Sequence, residues 1–257
     1  MSTPFDRAID AIRMRGYHNQ RLEEHSDIVS AGIFEDLLKR CKTLRTDFNA
    51  GDVQRWLNVP TPGARSRKID LLIAKPLPNG KPDVQELRIS VENKSVVTAH
   101  RNRDSRFDDV NQSLKVLHHA KPEGVKVTTV MVGVAERVLN VPDRVKPMLP
   151  ADKFTNEVLP RLSTGDQSLW TDFPHAISPN RPDDAQKTVN KFLQLPQRPP
   201  GHTHVEGYDY VLLVPVHVDN VNPPSVARAN TLGIDVDQDY QAMLDQICKA
   251  YTARWHL

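Results

Sequence analysis

Two stretches decide the fold, residues 69–74 (IDLLIA) and residues 87–94 (LRISVENK), because both are rich in β-branched and aliphatic side chains. Between them lies KPLPNGKPDVQ, in which Asn79-Gly80 favours a tight turn and three prolines end both strands. The two stretches therefore predict an antiparallel hairpin with a long loop.

Helices and a buried strand are predicted on either side of this hairpin. Apolar residues recur at three-to-four spacing over residues 21–47, which predicts a helix, and residues 105–120 predict another helix that Ser105 can cap. Residues 125–135 (VKVTTVMVGVA) have the nearly continuous β-branched pattern of a buried strand. A strand, a helix and a buried strand in this order predict a βαβ unit with a right-handed crossover. Residues 52–58 fit either a short helix or a short strand.

The second half of the chain predicts an elaboration of this core. Residues 136–206 hold half of the chain's 20 prolines and predict only short helices, near 151–162 and 184–194. Residues 208–218 (YDYVLLVPVHV) predict a further strand, and Pro215 favours an edge or a bulge for it.

A last helix, over about residues 237–255, completes a single predicted α/β domain over residues 1–257, with a mixed sheet flanked by helices. Its parts are a core at about 28–135, the Pro-rich elaboration at 136–206, and a C-terminal strand and helix at 207–257.

The composition is that of an ordinary globular protein. The chain has 257 residues, of which 39% are hydrophobic and 26% charged, and its net charge is +2. No apolar stretch approaches the roughly 20 residues of a membrane span, and the N-terminus lacks the apolar core of a signal peptide, so we expect a cytoplasmic location and no membrane partner. Two cysteines, Cys41 and Cys248, are too few for a disulfide framework or a Cys-rich zinc site.

Positive charge is concentrated in one sixth of the chain. Residues 65–106 contain ten basic and five acidic side chains, a net charge of +5, which leaves −3 for the rest because the whole chain carries +2. A solvated charged face is one interpretation of such a run. A surface for an anionic partner is the other, because charge acts where it clusters.

The hairpin predicts where the informative carboxylates lie. Side chains alternate between the two faces of a strand, so Glu92 and Lys94 project side by side at the end of residues 87–94. In an antiparallel hairpin the start of one strand neighbours the end of the next, which predicts Asp70 close to both. Two carboxylates and an ammonium would then meet at one corner of the sheet.

Such a group favours a divalent cation. Two adjacent carboxylates repel each other unless a cation lies between them. A few hard oxygen ligands with room for water and phosphate suit Mg²⁺, and the backbone carbonyl of Asn93 is a further candidate ligand. Lys94 can hold an attacking water and stabilise charge that develops on a phosphate. The alternative is a surface strand end with a solvated Glu and Lys.

The arrangement resembles the PD-(D/E)xK nuclease superfamily, to which many type II restriction endonucleases belong. The matching residues are Asp70 and the E-x-K element Glu92-Asn93-Lys94, and the resemblance covers roughly residues 28–135. It implies a restriction-endonuclease-like αβββαβ core, with Asp70 and Glu92 as ligands of one or two Mg²⁺ ions. It also implies that Lys94 assists the nucleophilic water.

Two departures and several secondary candidates accompany this resemblance. Asp70 follows Ile69, where a proline is common in that family, and no convincing strand precedes residue 69. The family often adds an acidic residue from its first helix, for which Glu35 is a candidate and Glu24 a weaker one. A polar residue often follows on the next helix, where Gln112 fits as a supporting residue.

Basic residues on both sides of the predicted site are candidates for DNA contacts. Arginine forks and backbone N–H groups bind phosphates, and Arg or Asn can read base edges. The candidates are His100, Arg101, Asn102, Arg103 and Arg106 after the site, and Arg65, Arg67 and Lys68 before it. The alternative is a polar loop whose arginines pair with Asp104, Asp108 and Asp109.

The resemblance thus predicts a Mg²⁺-dependent endodeoxyribonuclease, most directly a type II restriction enzyme that cuts double-stranded DNA at a short sequence. Cutting both strands of a palindrome from one site per chain predicts a homodimer. A cognate DNA methyltransferase encoded nearby, and not a bound subunit, is expected. One alternative is a repair, phage-defence or structure-specific nuclease on the same core. Another is a non-catalytic DNA-binding protein that retains the fold.

Overall fold

The computed structural model of the chain describes most of its residues. These are residues 2–15, 23–60, 68–97, 100–134, 137–139, 151–158, 160, 161, 164, 166, 168–172, 177–218, 224–228 and 230–256. Much of the Pro-rich segment 136–206 therefore lies outside the described residues.

Three helices precede the first strand, namely α1 (Pro4–Arg15), α2 (Glu23–Arg40) and α3 (Lys42–Ala50). The single helix predicted over residues 21–47 was therefore wrong in one respect. Cys41 adopts extended backbone angles, with φ −97° and ψ 99°, and this divides the segment into α2 and α3. Cys41 itself is fully buried.

Helix α1 was not predicted from the sequence, although Phe5, Ile9 and Ile12 recur in it at helical spacing and are buried. It packs against α2 at Gly32. A Cβ at Gly32 would lie 2.7 Å from the Cβ of Pro4, closer than two such atoms approach. Glycine in the middle of α2 therefore allows the two helices to pack closely.

Strands of both directions make up a central sheet. The structure contains β1 (Gln54–Pro60), β2 (Lys68–Pro76), β3 (Pro82–Val96), β4 (Val125–Gly133), β5 (Arg137–Leu139), β6 (Ile177–Pro179), β7 (Tyr210–His217) and β8 (Ser225–Val226). Six of them form a mixed sheet in the order β1-β2-β3-β4-β7-β8, and β5 and β6 form a separate two-stranded ribbon. Neighbours in the large sheet are antiparallel except for β3 with β4 and β4 with β7.

The predicted hairpin is confirmed, and its strands are longer than predicted. The long loop was wrong, because strands β2 and β3 pair as far as Pro76 with Pro82 and leave a short loop between them. Residues 52–58, for which the sequence left two alternatives, enter β1, which pairs with β2. This strand precedes residue 69 and gives the chain three consecutive antiparallel strands.

Helix α4 (Arg103–Ala120) joins β3 to the parallel strand β4, as the predicted βαβ unit requires. The helix begins before the predicted cap, because Asn102 and not Ser105 occupies the N-cap position. All nine residues of β4 are buried, which confirms the interpretation of its continuous β-branched run.

The remaining helices are α5 (Ala151–Lys153), which continues as a π-helical turn, α6 (Leu169–Asp172), α7 (Asp184–Phe192) and α8 (Val236–Trp255). Tyr240, Ile247 and Tyr251 of α8 are buried in the core. Pro215 does not mark an edge strand, because β8 pairs with β7 just beyond it.

The architecture is thus α/β, with a mixed six-stranded sheet and flanking helices. Helices α2 and α3, strands β1 to β3, helix α4 and strand β4 follow one another along the chain, so the order differs from αβββαβ by the additional helix α3. Among the described residues, none of the helices combines the length and the apolar character that a membrane crossing requires.

Candidate active site

The carboxylate of Asp70 lies where the pairing of β2 with β3 ends. The paired residues run up to Leu71 opposite Val91. Beyond this point the Asn93 N–H donates to Asp70 Oδ2 over 2.7 Å, so that a side chain accepts a strand hydrogen bond. Asp70 Oδ1 accepts from the hydroxyl of Ser26 on α2 over 2.8 Å. Both carboxylate oxygens are therefore held in a fixed orientation.

Glu92 is a buried carboxylate with an incomplete set of partners. Its side chain is 4% exposed, and its Oε1 lies 2.5 Å from Lys94 Nζ. Its second oxygen, Oε2, is buried and has no hydrogen-bond partner among the residues that the structure describes. A buried oxygen in this state is costly, and such exceptions call for an explanation.

Burial raises the pKa of both carboxylates. Burial raises the pKa of Glu92 to about 7, the charges of Asp70 and Asp109 add to this rise, and Lys94 offsets only part of it. Burial also raises the pKa of Asp70 above its usual value, although Lys94, the Asn93 N–H and the Ser26 hydroxyl oppose that rise. The group therefore has more negative charge than its one ammonium compensates.

The structure thus brings together Asp70, Glu92 and Lys94, which is the proximity that the hairpin predicted. The fit to a divalent cation follows from the donor chemistry. A cation beside Glu92 Oε2 would satisfy the oxygen that has no partner and would lower the pKa of both carboxylates.

The number of protein ligands is small. Among the described residues, no group of three or more His, Cys, Asp or Glu side chains is arranged to hold a metal ion. Two carboxylates and the backbone carbonyl of Asn93 would leave several positions for water and phosphate oxygens. Mg²⁺ is commonly bound in this way, whereas structural zinc takes four protein ligands.

Glu35, the acidic candidate from the first helix, does not join this group. Its carboxylate accepts from Arg7 over 3.1 Å and is half exposed. It lies nine residues after Ser26, which is roughly 13 Å along the axis of α2. The acidic residue of α2 whose charge acts on Asp70 is instead Asp27. The side chain of Glu24 lies outside the described residues.

Gln112, the supporting candidate, is exposed on α4. The residue of this helix that acts on the site is Asp109, one turn earlier, whose charge contributes to the raised pKa of Glu92. The supporting role of Gln112 stays a prediction, and the sequence did not indicate the effect of Asp109.

His100 was predicted as a DNA contact, and the structure corrects this. Its ring is 2% exposed, with Nδ1 2.7 Å from Thr188 Oγ1 and Nε2 donating to the Gly133 carbonyl over 2.9 Å. Gly133 also packs closely against the backbone of Val97, because an added Cβ would lie 2.1 Å from the carbonyl oxygen of Val97. Burial lowers the pKa of His100, so its role in this structure is internal packing.

The arginines at the start of α4 have carboxylate neighbours, as the alternative interpretation predicted. Arg103 Nε lies 3.7 Å from Asp104, and Arg106 Nη1 lies 3.6 Å from Asp109. The Arg106 side chain is 43% exposed, so it remains accessible to a partner.

The other candidates for DNA contacts divide into two groups. Asn102 is partly buried at the N-cap of α4, and Lys68 is exposed at the start of β2. Arg65, Arg67 and the side chain of Arg101 lie outside the described residues.

Hydroxyl and amide side chains around Asp70 were not predicted. Asn93 Nδ2 lies 3.2 Å from Ser26 Oγ and 2.8 Å from Ser30 Oγ, and Asn93 Oδ1 accepts from Thr129 over 2.7 Å. Asn58 in β1 donates to Asp27 over 2.8 Å. A signal existed at Asn93, because an amide on the core-facing side of a strand needs partners there.

Comparison of the chain with protein-family models, with curated proteins and with solved structures gave no match.

Proposed function

We propose that this chain hydrolyses phosphodiester bonds of double-stranded DNA with Mg²⁺, as a type II site-specific endonuclease. One observation carries the proposal. The buried carboxylate of Glu92 and the partly buried carboxylate of Asp70, both with raised pKa, adjoin one ammonium at neighbouring strand ends, and one oxygen of Glu92 has no partner among the described residues. The order of α2, β1, β2, β3, α4 and β4 along the chain, with α3 between α2 and β1, supports it.

In the proposed site, Asp70, Glu92 and the Asn93 carbonyl hold the cation. The Mg²⁺ ion would polarise the phosphate and lower the pKa of a bound water. The protein contributes a fixed Asp70 carboxylate, whose two oxygens are already oriented by Ser26 and the Asn93 N–H. This orientation requires no rearrangement when substrate binds, which is how a preorganised site lowers a barrier.

Lys94 has the second role in the proposed chemistry. Its ammonium is 17% exposed and lies 2.5 Å from Glu92, so it can face both the carboxylate and a bound phosphate. There it would orient the attacking water and stabilise the charge on the phosphate oxygens. Hydrolysis forms one new P–O bond to the water and breaks one P–O bond to a sugar, whose oxygen leaves as a hydroxyl after taking up a proton.

The experiment incubates long unmethylated double-stranded DNA with the purified chain, either with Mg²⁺ or with EDTA. The variants are Lys94→Ala, Asp70→Ala and the matched control Lys75→Ala. Lys75 lies on the same hairpin, but it is half exposed and pairs with Glu86 over 3.5 Å. Thermal unfolding of each variant shows whether it is folded.

We expect discrete fragments from the wild type and from Lys75→Ala with Mg²⁺, and none with EDTA. Lys94→Ala and Asp70→Ala should lose at least roughly 100-fold in rate, the scale of removing one donor from a preorganised site. Undiminished cleavage by folded Lys94→Ala would contradict the proposal. Heterogeneous products would favour a structure-specific nuclease, and salt-sensitive binding without hydrolysis would favour a non-catalytic protein.

The proposed partner arrangement is a homodimer on a palindromic site, because one site per chain cuts one strand. Light scattering of the chain with and without its DNA fragment measures this directly. A monomer that cuts both strands in a single encounter would contradict the dimer and leave the hydrolytic proposal standing.

A further inference from the structure

A chain of side-chain hydrogen bonds leads from β4 to Asp70 through β3 and α2. Thr129 Oγ1 donates to Asn93 Oδ1 over 2.7 Å, and Asn93 Nδ2 lies 3.2 Å from Ser26 Oγ. The hydroxyl of Ser26 donates to Asp70 Oδ1 over 2.8 Å. Four elements of the fold therefore converge on one carboxylate.

The chemistry of these groups gives the chain a direction. An ionised carboxylate only accepts hydrogen bonds, and a serine hydroxyl has one hydrogen, so Ser26 gives that hydrogen to Asp70 and accepts from Asn93. The Asn93 amide must then turn its NH₂ group to α2 and its oxygen to Thr129. Every hydrogen in the chain points towards Asp70, and such bonds polarise one another.

One hydrogen of the Asn93 amide faces Ser26, whose Oγ and carbonyl oxygen lie 3.2 and 3.3 Å from Asn93 Nδ2, and the second hydrogen serves a branch. Asn93 Nδ2 lies 2.8 Å from the hydroxyl oxygen of Ser30, which is fully buried one turn after Ser26. The described bonds to Asp70 come from Ser26 and from the Asn93 N–H. Ser30 thus shares the amide with Ser26 but lies outside the path to the carboxylate.

Together these bonds fix the plane of the Asp70 carboxylate. One oxygen is held by Ser26 and the other by the Asn93 N–H. A carboxylate offers about four acceptor positions, so roughly half of them remain for a cation and its water. Residues that donate hydrogen bonds to a metal ligand commonly tune the affinity of a metal site.

We propose that Ser26 is a positioning residue, which Asn93 orients and which holds Asp70 in the geometry that binds the divalent cation. The inference rests on the proposed function, since it gives Asp70 the role of a metal ligand. Ser26 acts through Asp70 and has no contact of its own with the cation. Its hydroxyl therefore controls the affinity for Mg²⁺ more than the rate at saturating Mg²⁺.

The test compares Ser26→Ala with the matched control Ser30→Ala and with the rescue Ser26→Thr. Both alanine variants remove a hydroxyl that contacts the same amide from the same helix, but only Ser26→Ala removes the donor to Asp70. Threonine restores a hydroxyl. Calorimetric titration of each full-length variant with MgCl₂, without DNA, gives the affinity, and cleavage over a range of Mg²⁺ concentrations gives the rate.

Ser26→Ala should bind Mg²⁺ roughly 10- to 100-fold more weakly, the usual effect of removing a partner of a metal ligand. Ser30→Ala and Ser26→Thr should bind as the wild type does. Cleavage by Ser26→Ala should recover towards the wild-type rate as Mg²⁺ is raised.

Each contrary result has a separate meaning. Equal affinities of Ser26→Ala and Ser30→Ala, in a chain whose wild type binds Mg²⁺ and cuts DNA, would overturn the positioning role alone. A wild type that neither binds Mg²⁺ nor cuts DNA would overturn the proposed function and this inference with it. If Ser26→Ala does not fold, Ser26→Cys replaces it, since a thiol is a weak donor of similar size. Wild-type affinity in Ser26→Cys would then count against the inference.

Discussion

Each end of α4 adjoins a group of buried charged side chains, and the two groups have opposite ratios of basic to acidic residues. Beyond its C-terminus lies a group that we name the turn cluster, which consists of Lys126, Arg198, Asp209 and Arg254. Nearer its N-terminus, Asp109 acts electrostatically on Glu92 of the candidate site. The turn cluster has more basic than acidic side chains, and burial and the charge of Arg198 lower the pKa of Lys126 to about 7. The candidate site has more carboxylates than basic groups.

In the turn cluster, the carboxylate of Asp209 has donors on both oxygens. Arg198 and Arg254 approach Oδ1 at 3.0 and 2.5 Å, and Arg198 and the N–H of Lys126 approach Oδ2 at 2.5 and 2.8 Å. Burial alone would raise the pKa of Asp209, but the hydrogen bonds from both arginines outweigh burial and hold that pKa below its usual value.

The surplus basic side chains of the turn cluster bind backbone carbonyls. Lys126 Nζ donates to the carbonyls of Lys121, Pro122 and Gly124 at 2.7, 3.1 and 2.9 Å. Arg254 donates to the Glu123 carbonyl over 2.9 Å. These carbonyls follow the C-terminus of α4, where the helix dipole is negative and favours cations.

The charge of Asp209 has a structural role, whereas the charge of Glu92 is a candidate functional one. Asp209 and Glu92 are both buried carboxylates, yet the pKa of Asp209 is lowered and that of Glu92 is raised to about 7. The difference lies in their partners, since Asp209 accepts from two arginines whereas Glu92 has one lysine and carboxylate neighbours. A buried charge with a surplus of partners stabilises the fold, and one with a deficit is a candidate for binding a cation.

The largest expected effect comes from breaking the turn cluster. Asp209→Ala should lower the free energy of unfolding by about 3–5 kcal/mol, because it leaves buried arginines without their counter-charge. Urea denaturation measures this loss. Asp209→Asn is the control, since it removes the charge but keeps an acceptor oxygen, and it should lose less. If Asp209→Ala unfolds within about 1 kcal/mol of the wild type, the cluster does not have this structural role.

The sequence could predict the candidate site better than the turn cluster, for reasons of distance along the chain. Asp70, Glu92 and Lys94 lie on one hairpin, whose period of two and antiparallel pairing fix their proximity. Asp209 and Arg254 are brought together by tertiary packing across 45 residues. No local pattern marks such a pair.

Other features were hidden because their local signals are weak. Strand β1 is mostly exposed or partly buried and contains Asn58 at φ 54°, so its alternation is poor. His100 is followed by basic and polar residues typical of a loop, and only the packing of α7 and β4 around it shows that it is buried. Ser26 has no signature, because a serine in a helix usually faces solvent or its own backbone.

The second prediction concerns the free energy of unfolding, which Glu92 should make dependent on pH when EDTA removes divalent cations. Its pKa is about 7 in the folded chain against a usual value of 4.5. Between these two pH values the folded chain binds more protons than the unfolded chain, so the free energy of unfolding falls as the pH rises. The loss is about 3 kcal/mol at 1.36 kcal/mol per unit. Glu92→Gln, which does not titrate, should lack this loss.

Urea denaturation of both proteins from pH 4.5 to pH 8 isolates the contribution of Glu92, since all other groups titrate in both. Mg²⁺ should reduce the loss in the wild type, because a bound cation compensates the buried carboxylate. Parallel stability curves for the wild type and Glu92→Gln in EDTA would show that Glu92 titrates normally, and the contrast with Asp209 would then fail.

The smallest expected effect concerns an exposed ion pair, which serves as a reference for the turn cluster and the candidate site. The Arg7–Glu35 pair is about half exposed on each side, with 3.1 Å between its atoms, and exposed pairs contribute about 0.2–1 kcal/mol. Glu35→Gln should therefore change the free energy of unfolding by less than about 1 kcal/mol and leave Mg²⁺ affinity as in the wild type. Calorimetric titration and urea denaturation measure both. Weaker Mg²⁺ binding by Glu35→Gln would show that Glu35 contributes to the site. Burial would then not distinguish metal ligands from other carboxylates in this chain.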